Sequence, residues 1–179
     1  MKPLTPKKAE SHFLPDFMSS SLLAVDFAQL AKAGVRYVAI DADGTLAEYR
    51  QSTIDEATKK HLMKQRKYID DWCIASNRVT SGLDQLGQVI DAQVVPTNPL
   101  ARKPRARYFR RVIEHFGADR PEEIAMIGDK LLADVWGANR AGMVSVWVEQ
   151  LGPDSLSDRL FRVRQWEQRK IAQQLSKRT

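Results

Sequence analysis

The stretch Val35 to Arg50, VRYVAIDADGTLAEYR, constrains this chain more than any other. Apolar and β-branched residues (Val35, Tyr37, Val38, Ile40) run into two carboxylates one residue apart, Asp41 and Asp43. Gly44, Thr45 and Leu46 then turn the chain away. A hydrophobic strand that stops at Asp-x-Asp-Gly-Thr fits a buried strand of an open α/β sheet, whose carboxyl end is where such sheets hold ligands. Two acids there suggest a metal bound through oxygen and a carboxylate able to act as a nucleophile.

The remaining pattern supplies such a sheet. Asp26 to Ala33 predicts a short helix stopped by Gly34, and Ile54 to Tyr68 predicts a second. Asp70 to Ala75 reads as a strand with Ser76-Asn77-Arg78 at its end, and Thr80 to Leu86 begins another helix. Gln93 to Val95 is a third strand, followed by the basic run Arg102-Lys103-Pro104-Arg105 and a helix from Arg105 to Phe116. Glu123 to Ile127 is a fourth strand ending in Gly128-Asp129. Leu131 to Arg140 is a helix closed by Gly142, and Val144 to Val148 is a fifth strand. Strands alternating with helices predict an α/β, Rossmann-like three-layer fold with a central parallel sheet.

This unit spans 35–150. Before it, 1–34 is expected to be an arm and a short helix, with 1–12 loose, Phe13 to Phe17 a packing segment and Ser19 to Ser21 a turn. After Gly152-Pro153, 151–179 is expected to carry a basic helix, Leu156 to Ser176, opened by Ser155-x-x-Asp158.

With 179 residues and 43% hydrophobic content, the chain can bury one full core. Its single cysteine, Cys73, excludes an intrachain disulfide framework and reads as a buried strand residue. No apolar run reaches the ~20 residues of a membrane span, and no signal-peptide core follows Met1, so a cytoplasmic protein is expected. The net charge of +6 favours anionic partners without choosing among phosphorylated metabolites, nucleic acid and acidic membranes. His12, His61 and His115 have no metal-ligand spacing.

Asp41 and Asp43, Ser76, Lys103, and Asp129 with Asp134 each fall at or after the carboxyl end of a predicted strand. One such acid is usually a helix cap; four segments in this order point to one crevice. The series Asp-x-Asp-x-Thr, Ser-Asn, Lys-Pro, Gly-Asp-x-x-x-x-Asp resembles the four motifs of the haloacid dehalogenase-like (HAD) phosphohydrolases, over roughly residues 35 to 150. The short gaps after Leu46 and before Lys103 leave no room for a large cap domain, as in the capless family III-A members. FLPDFMSSSLLAVDFAQLAKAGV, ARKPRARYFRRVIEHFG and GDKLLADVWGANRAGM further resemble the phosphatidylglycerophosphatase-like branch. Two positions depart from that branch: Gly44 where Asn is common, and Arg78 where a second Asn is frequent.

The resemblance implies Asp41 as nucleophile forming an aspartyl phosphate, and Asp43 as acid to the leaving oxygen and then base to water. It implies Mg²⁺ held by Asp41, Asp129 and the main-chain carbonyl of Asp43, with Asp134 outside the ligand shell. Lys103 would neutralise phosphoryl charge, and Ser76 would hydrogen-bond its oxygens. Thr45 and Asn77 are candidate phosphate contacts, against the plainer readings that Thr45 shapes the turn and Asn77 caps the next helix. Arg102 and Arg105 could attract phosphate or be solvated, and Trp136 is expected in the core.

The implied activity is hydrolysis of a phosphomonoester, with phosphatidylglycerophosphate favoured and a place in phospholipid biosynthesis. The tail sets Leu156, Leu160, Val163, Ile171 and Leu175 on one arc of a helix, with Arg159, Arg162, Arg169, Lys170 and Lys177 mostly opposite. It would either rest on an anionic inner membrane face or dock on the domain. The rival readings are a phosphatase for soluble sugar or nucleotide phosphates, and a non-catalytic module binding anions or nucleic acid. The acid set disfavours the latter.

Overall fold

A computed structural model describes residues 2–3, 12–79, 82–153, 166 and 169. Its centre is a sheet of β1 (Lys2–Pro3), β2 (Phe17–Ser19), β3 (Tyr37–Ile40), β4 (Asp71–Ile74), β5 (Gln93–Val94), β6 (Ile124–Gly128) and β7 (Val144–Val148). The strand order is β1-β2-β7-β6-β3-β4-β5. Strands β2 to β7 pair in parallel, and β1 joins the β2 edge antiparallel. The helices are α1 (Phe27–Lys32), α2 (Glu56–Gln65), α3 (Leu83–Ile90), α4 (Ala106–Phe116) and α5 (Gly137–Arg140).

The parallel strands are apolar because both their faces are covered. Along β3 and β4, Val38, Ile40, Trp72 and Ile74 face a core shared with Phe27, Leu30, Leu62, Leu86 and Ile90. The alternate residues Ala39 and Cys73 face a second core with Tyr108, Phe109 and Val112 of α4. Three layers result. Burial pushes the Cys73 thiol well above its ordinary range, so the cysteine is an inert packing residue.

Several boundaries differ from the sequence expectations. Phe17–Ser19 is an edge strand beside β7, held where the Asp16 carboxylate accepts from the amide (2.9 Å) and hydroxyl (3.2 Å) of Ser145. Three residues are too few to show a two-residue period, so the strand reads as a packing segment from sequence. Lys2–Pro3 pairs with it, whereas 4–11 lie outside the described residues. Helix α3 starts at Leu83, later than expected, and runs on to Ile90. The helix expected from Leu131 opens as a π turn, Leu131–Trp136, before α5. The expected C-terminal helix lies outside the described residues apart from Trp166, which meets Phe13 edge-on at 5.8 Å, and Arg169. Trp136 is half-buried, stacked by Phe13 and lying under Arg140.

The chain order places the site. From β3 the chain proceeds outward through β4 and β5, then crosses back to β6 and β7 on the other side. That reversal lies between β3 and β6, and crevices in such sheets open outside the carboxyl ends of the strands at this point. The segments after β3 (41–55) and between β5 and α4 (95–105) hold no helix or strand apart from isolated bridges. No helix among the described residues is long and apolar enough to cross a membrane.

Candidate active site

Register brings the acids level. Ile40 pairs with Ile127 across β3 and β6, so Asp41 leaves its strand beside Gly128-Asp129. One carboxylate oxygen from each of Asp41, Asp129 and Asp134 lies within 4.8 Å of the others, and all three residues are buried. Lys103 is enclosed with them: its Nζ lies 2.8 Å from Asp41 Oδ1 and donates to Asp134 Oδ1 at 2.6 Å. Asp41 and Asp134, from two separate segments, thus converge on one lysine, with Asp129 beside them.

Local structure fixes each. Asp41 Oδ1 accepts from the Ala42 amide at 2.8 Å. Asp134 reaches back across the π turn, its Oδ2 accepting from the Lys130 amide at 3.0 Å. The Lys130 carbonyl meanwhile accepts from the amides of Asp134 and Val135. The wider turn is a form often found at functional sites. It requires Gly128, where a Cβ would fall 2.2 Å from Asp134 Oδ2. Gly44, at φ +80°, is required twice over, because a Cβ there would also fall 2.9 Å from Asp129 Oδ2. Trp147 Nε1 donates to the Asp129 carbonyl at 2.8 Å, fixing that loop against β7.

The electrostatics follow from enclosure. Burial is the largest influence on Asp41 and pushes its pKa up to about 6; Lys103 pulls it back, while Asp134 and Asp43 push with burial. Burial opposes the charge of Lys103, but Asp134 and Asp41 together outweigh it and hold the ammonium protonated far above neutrality. The site carries three carboxylates against one enclosed ammonium, and a hard cation with oxygen ligands suits that donor set. Asp134 already serves Lys103 and the Lys130 amide, which suits it to orienting the lysine.

The other predicted residues are placed as follows. Thr45 donates its hydroxyl to Asp129 Oδ1 at 3.4 Å, and so touches a metal candidate. Ser76 is buried at the end of β4, its Oγ accepting from the Arg78 amide at 3.1 Å. Asn77 neither caps α3 nor faces an anion with its amide. It donates to the Lys103 carbonyl at 2.9 Å and accepts from the Lys103 amide at 2.7 Å, clamping the lysine's backbone. Arg102 and Arg105 are exposed.

Asp43 stands apart from the cluster, its side chain 16% exposed. It accepts from the Arg50 amide at 2.7 Å, and the buried guanidinium of Arg78 takes both its oxygens: Nε to Oδ2 at 3.2 Å, and Nη2 to Oδ1. Arg78 Nη1 also donates to the Gln51 carbonyl at 2.9 Å. This role was missed from sequence, where Arg78 figured only as a departure from pattern. An arginine four residues past a strand end, opposite an unpaired acid, was the available signal. Arg78→Ala should lower kcat at least about tenfold by releasing Asp43. It should cost only on the order of 1–2 kcal/mol of stability, because Asp43 remains partly open to water. Steady-state kinetics beside urea unfolding check both.

Residues 7–151 match the family model described as "Mitochondrial PGP phosphatase". The chain is 27% identical over 140 residues to "Probable phosphatase YqeG" of Bacillus subtilis (strain 168), covering 76% of this chain and 77% of that protein. Over 48 residues, 27% of this chain and 19% of the relative, it is 48% identical to "Phosphoserine phosphatase" of Thermus thermophilus. Among solved structures, one from Listeria monocytogenes serotype 4b superposes with TM-score 0.54 at 18% identity, covering 68% of this chain and 84% of the other. The magnesium-bound YfnB of Bacillus subtilis, named as a HAD-hydrolase, gives TM-score 0.51 at 13% identity, covering 69% and 91%. At those identities the structural likeness is one of fold.

Proposed function

We propose that this chain, which belongs to the mitochondrial PGP phosphatase family, hydrolyses the terminal phosphomonoester of phosphatidylglycerophosphate through an aspartyl phosphate. It is a phosphomonoester hydrolase of the HAD type. The observation that carries the mechanism is the enclosure of Asp41 with Lys103, beside Asp129 and Asp134, at the reversal of the sheet.

Asp41 attacks phosphorus with a carboxylate oxygen, and the bond to the leaving alkoxide oxygen breaks. Asp43, at the mouth, gives that oxygen a proton once one of its own oxygens has left the Arg78 guanidinium and taken that proton up. It later takes one from the water that opens the acyl phosphate and returns Asp41. Lys103 keeps Asp41 ionised against the burial that favours its neutral form, and Asp134 aims the lysine. Ser76 and neighbouring amides would receive equatorial oxygens. Asp41 and Asp129, with the Asp43 carbonyl, would hold Mg²⁺, which supplies positive charge to the phosphoryl group.

Metal binding has a readout independent of turnover. A ligand at a hundredfold excess over its Kd adds about 2.7 kcal/mol of stability. Millimolar Mg²⁺ should therefore raise the Tm by several degrees at pH 7.5, and Asp129→Asn should remove most of that shift. Differential scanning fluorimetry with EDTA as baseline measures it.

The lipid substrate is supported by the family match and by a mouth with no large inserted unit in the described loops, which suits a phosphate borne on something bulky. The runner-up is a soluble sugar or nucleotide phosphate. Phosphate release should be fastest from phosphatidylglycerophosphate in mixed micelles, with Asp41→Asn as the blank. Faster release from a soluble ester would overturn the lipid assignment.

A further inference from the structure

The carboxylate at the mouth of this site sits in a grip that its own task requires it to leave. Arg78 lays its fork on both oxygens of Asp43, Nε on Oδ2 at 3.2 Å and Nη2 on Oδ1. With both oxygens occupied, neither is open to a leaving group. Arg78 is the less movable partner, its side chain 4% exposed against 16% for Asp43. Its Nη1 is anchored on the Gln51 carbonyl at 2.9 Å, and its amide on Ser76 Oγ at 3.1 Å. On parting, Asp43 can turn into the water at the mouth, while the guanidinium remains enclosed. An enclosed cation stripped of its counter-charge is strongly disfavoured, so the group that takes the place of Asp43 is another anion.

The position of that anion follows from how the two buried cations divide the acids. Lys103 meets Asp41 and Asp134, whereas Arg78 meets Asp43. The phosphoryl group under attack belongs with Asp41 and Lys103, and the leaving oxygen with Asp43. An anion that reaches Arg78 therefore rides on the leaving arm of the substrate. Asp41 and Asp43 are two residues apart, a backbone span of at most ~7 Å, which a short carbon bridge between two phosphates can match.

We propose that Arg78 determines specificity: its fork passes from Asp43 to a phosphodiester on the leaving arm, and that second charge frees Asp43 to act. The inference rests on the phosphatase reading above and names the feature the site selects, a second phosphate close to the one removed. The planar fork of arginine meets two oxygens of a phosphate as readily as two of a carboxylate. The Arg50 amide, 2.7 Å from Asp43 Oδ1, keeps the acid at the mouth through the exchange. With the arginine removed altogether, Asp43 loses its aim and the leaving arm its anchor, so substitution at 78 still slows turnover.

The test uses the full chain with magnesium and soluble esters, so no lipid surface enters. Glycerophosphoglycerol phosphate, the deacylated head group, carries the phosphodiester, and its methyl phosphotriester keeps the shape without that charge. Wild type should favour the charged ester in kcat/KM by at least about tenfold, as expected of a charge-assisted pair. Arg78→Met should bring the two esters within about threefold of each other, mainly by loss on the charged one. Arg78→Lys should keep a reduced preference, having the charge without the fork, and serves with the wild-type ratio if Arg78→Met is poorly folded. A merely structural role would slow both esters alike and leave the ratio unchanged.

Equal wild-type rates on the two esters, or a preference that survives Arg78→Met, overturn the inference. A stronger preference for 3-phosphoglycerate over glycerol 3-phosphate than for the phosphodiester over its neutral ester also overturns it, by assigning the anion to a carboxylate. A wild type that cleaves nitrophenyl phosphate yet ignores the second charge fails this inference alone. One that releases phosphate from no ester fails the phosphatase reading itself.

Discussion

Asp41→Asn is expected to abolish phosphate release while leaving the metal-free protein as stable as wild type, or more so. The activity loss should exceed the ~10²–10³ typical of removing one preorganised donor, because no nucleophile remains. The stability half follows from burial. Asn keeps the shape of Asp41 and can still accept from the Ala42 amide, but carries no charge into an enclosure whose largest effect on Asp41 is to disfavour ionisation. The sign can be worked out. The Asp41 pKa is about 6 folded, against about 3.9 for an unfolded aspartate, so the folded state binds the extra proton between those values. The stability this lends is complete below about pH 4 and is lost as pH rises through about 6. The variant should therefore match wild type near pH 4 and exceed it above pH 6, by on the order of 1–3 kcal/mol. Melting curves in EDTA across that range measure the gap. A gap of opposite sign at neutral pH would mean that Lys103 outweighs burial at this carboxylate.

The parts of this protein legible in its sequence are those where one residue type at one spacing has few alternatives. The strand ending at Asp41 could be read because four apolar residues stop at an acid, and only a buried strand explains both. Gly128-Asp129 could be read for the same reason, and the structure adds the cause: any side chain at 128 would strike Asp134. What stayed hidden depends on distant pairing. Phe17–Ser19 becomes a strand only because β7 offers an open edge and Asp16 finds Ser145, 129 residues later. Arg78 meets Asp43 across two loops, and Asn77 grips Lys103 across 26 residues of chain. Such partners share no local period, so no window of sequence contains them. The π turn was hidden differently: Leu131 to Trp136 has ordinary helical spacing, and the bonds that widen it serve the reach of Asp134 to the Lys130 amide.

Lys103→Met should be the most destabilising single change at the site, and the pH dependence of that loss identifies its cause. Methionine fills the lysine's volume without charge, so packing is largely kept while Asp41 and Asp134 lose the ammonium lying 2.8 and 2.6 Å from them. Removing one partner of a buried ion pair typically costs ~3–5 kcal/mol. At ~2–4 °C per kcal/mol for a chain of this size, the Tm should fall by about 10 °C at pH 7.5 in EDTA. Without Lys103, burial and Asp134 would raise Asp41 unopposed, since the lysine supplies the largest influence now lowering it. A carboxyl whose folded pKa is raised lends stability at low pH and loses it as pH rises, so the deficit should shrink toward about pH 4, where Asp41 carries a proton. Magnesium should recover part of the neutral-pH loss, because Asp41 and Asp129 then share a cation in place of the missing ammonium. A cavity or packing defect would give a deficit independent of both pH and metal. That flat result would show that the ion pairs around Lys103 contribute little to holding the three loops together.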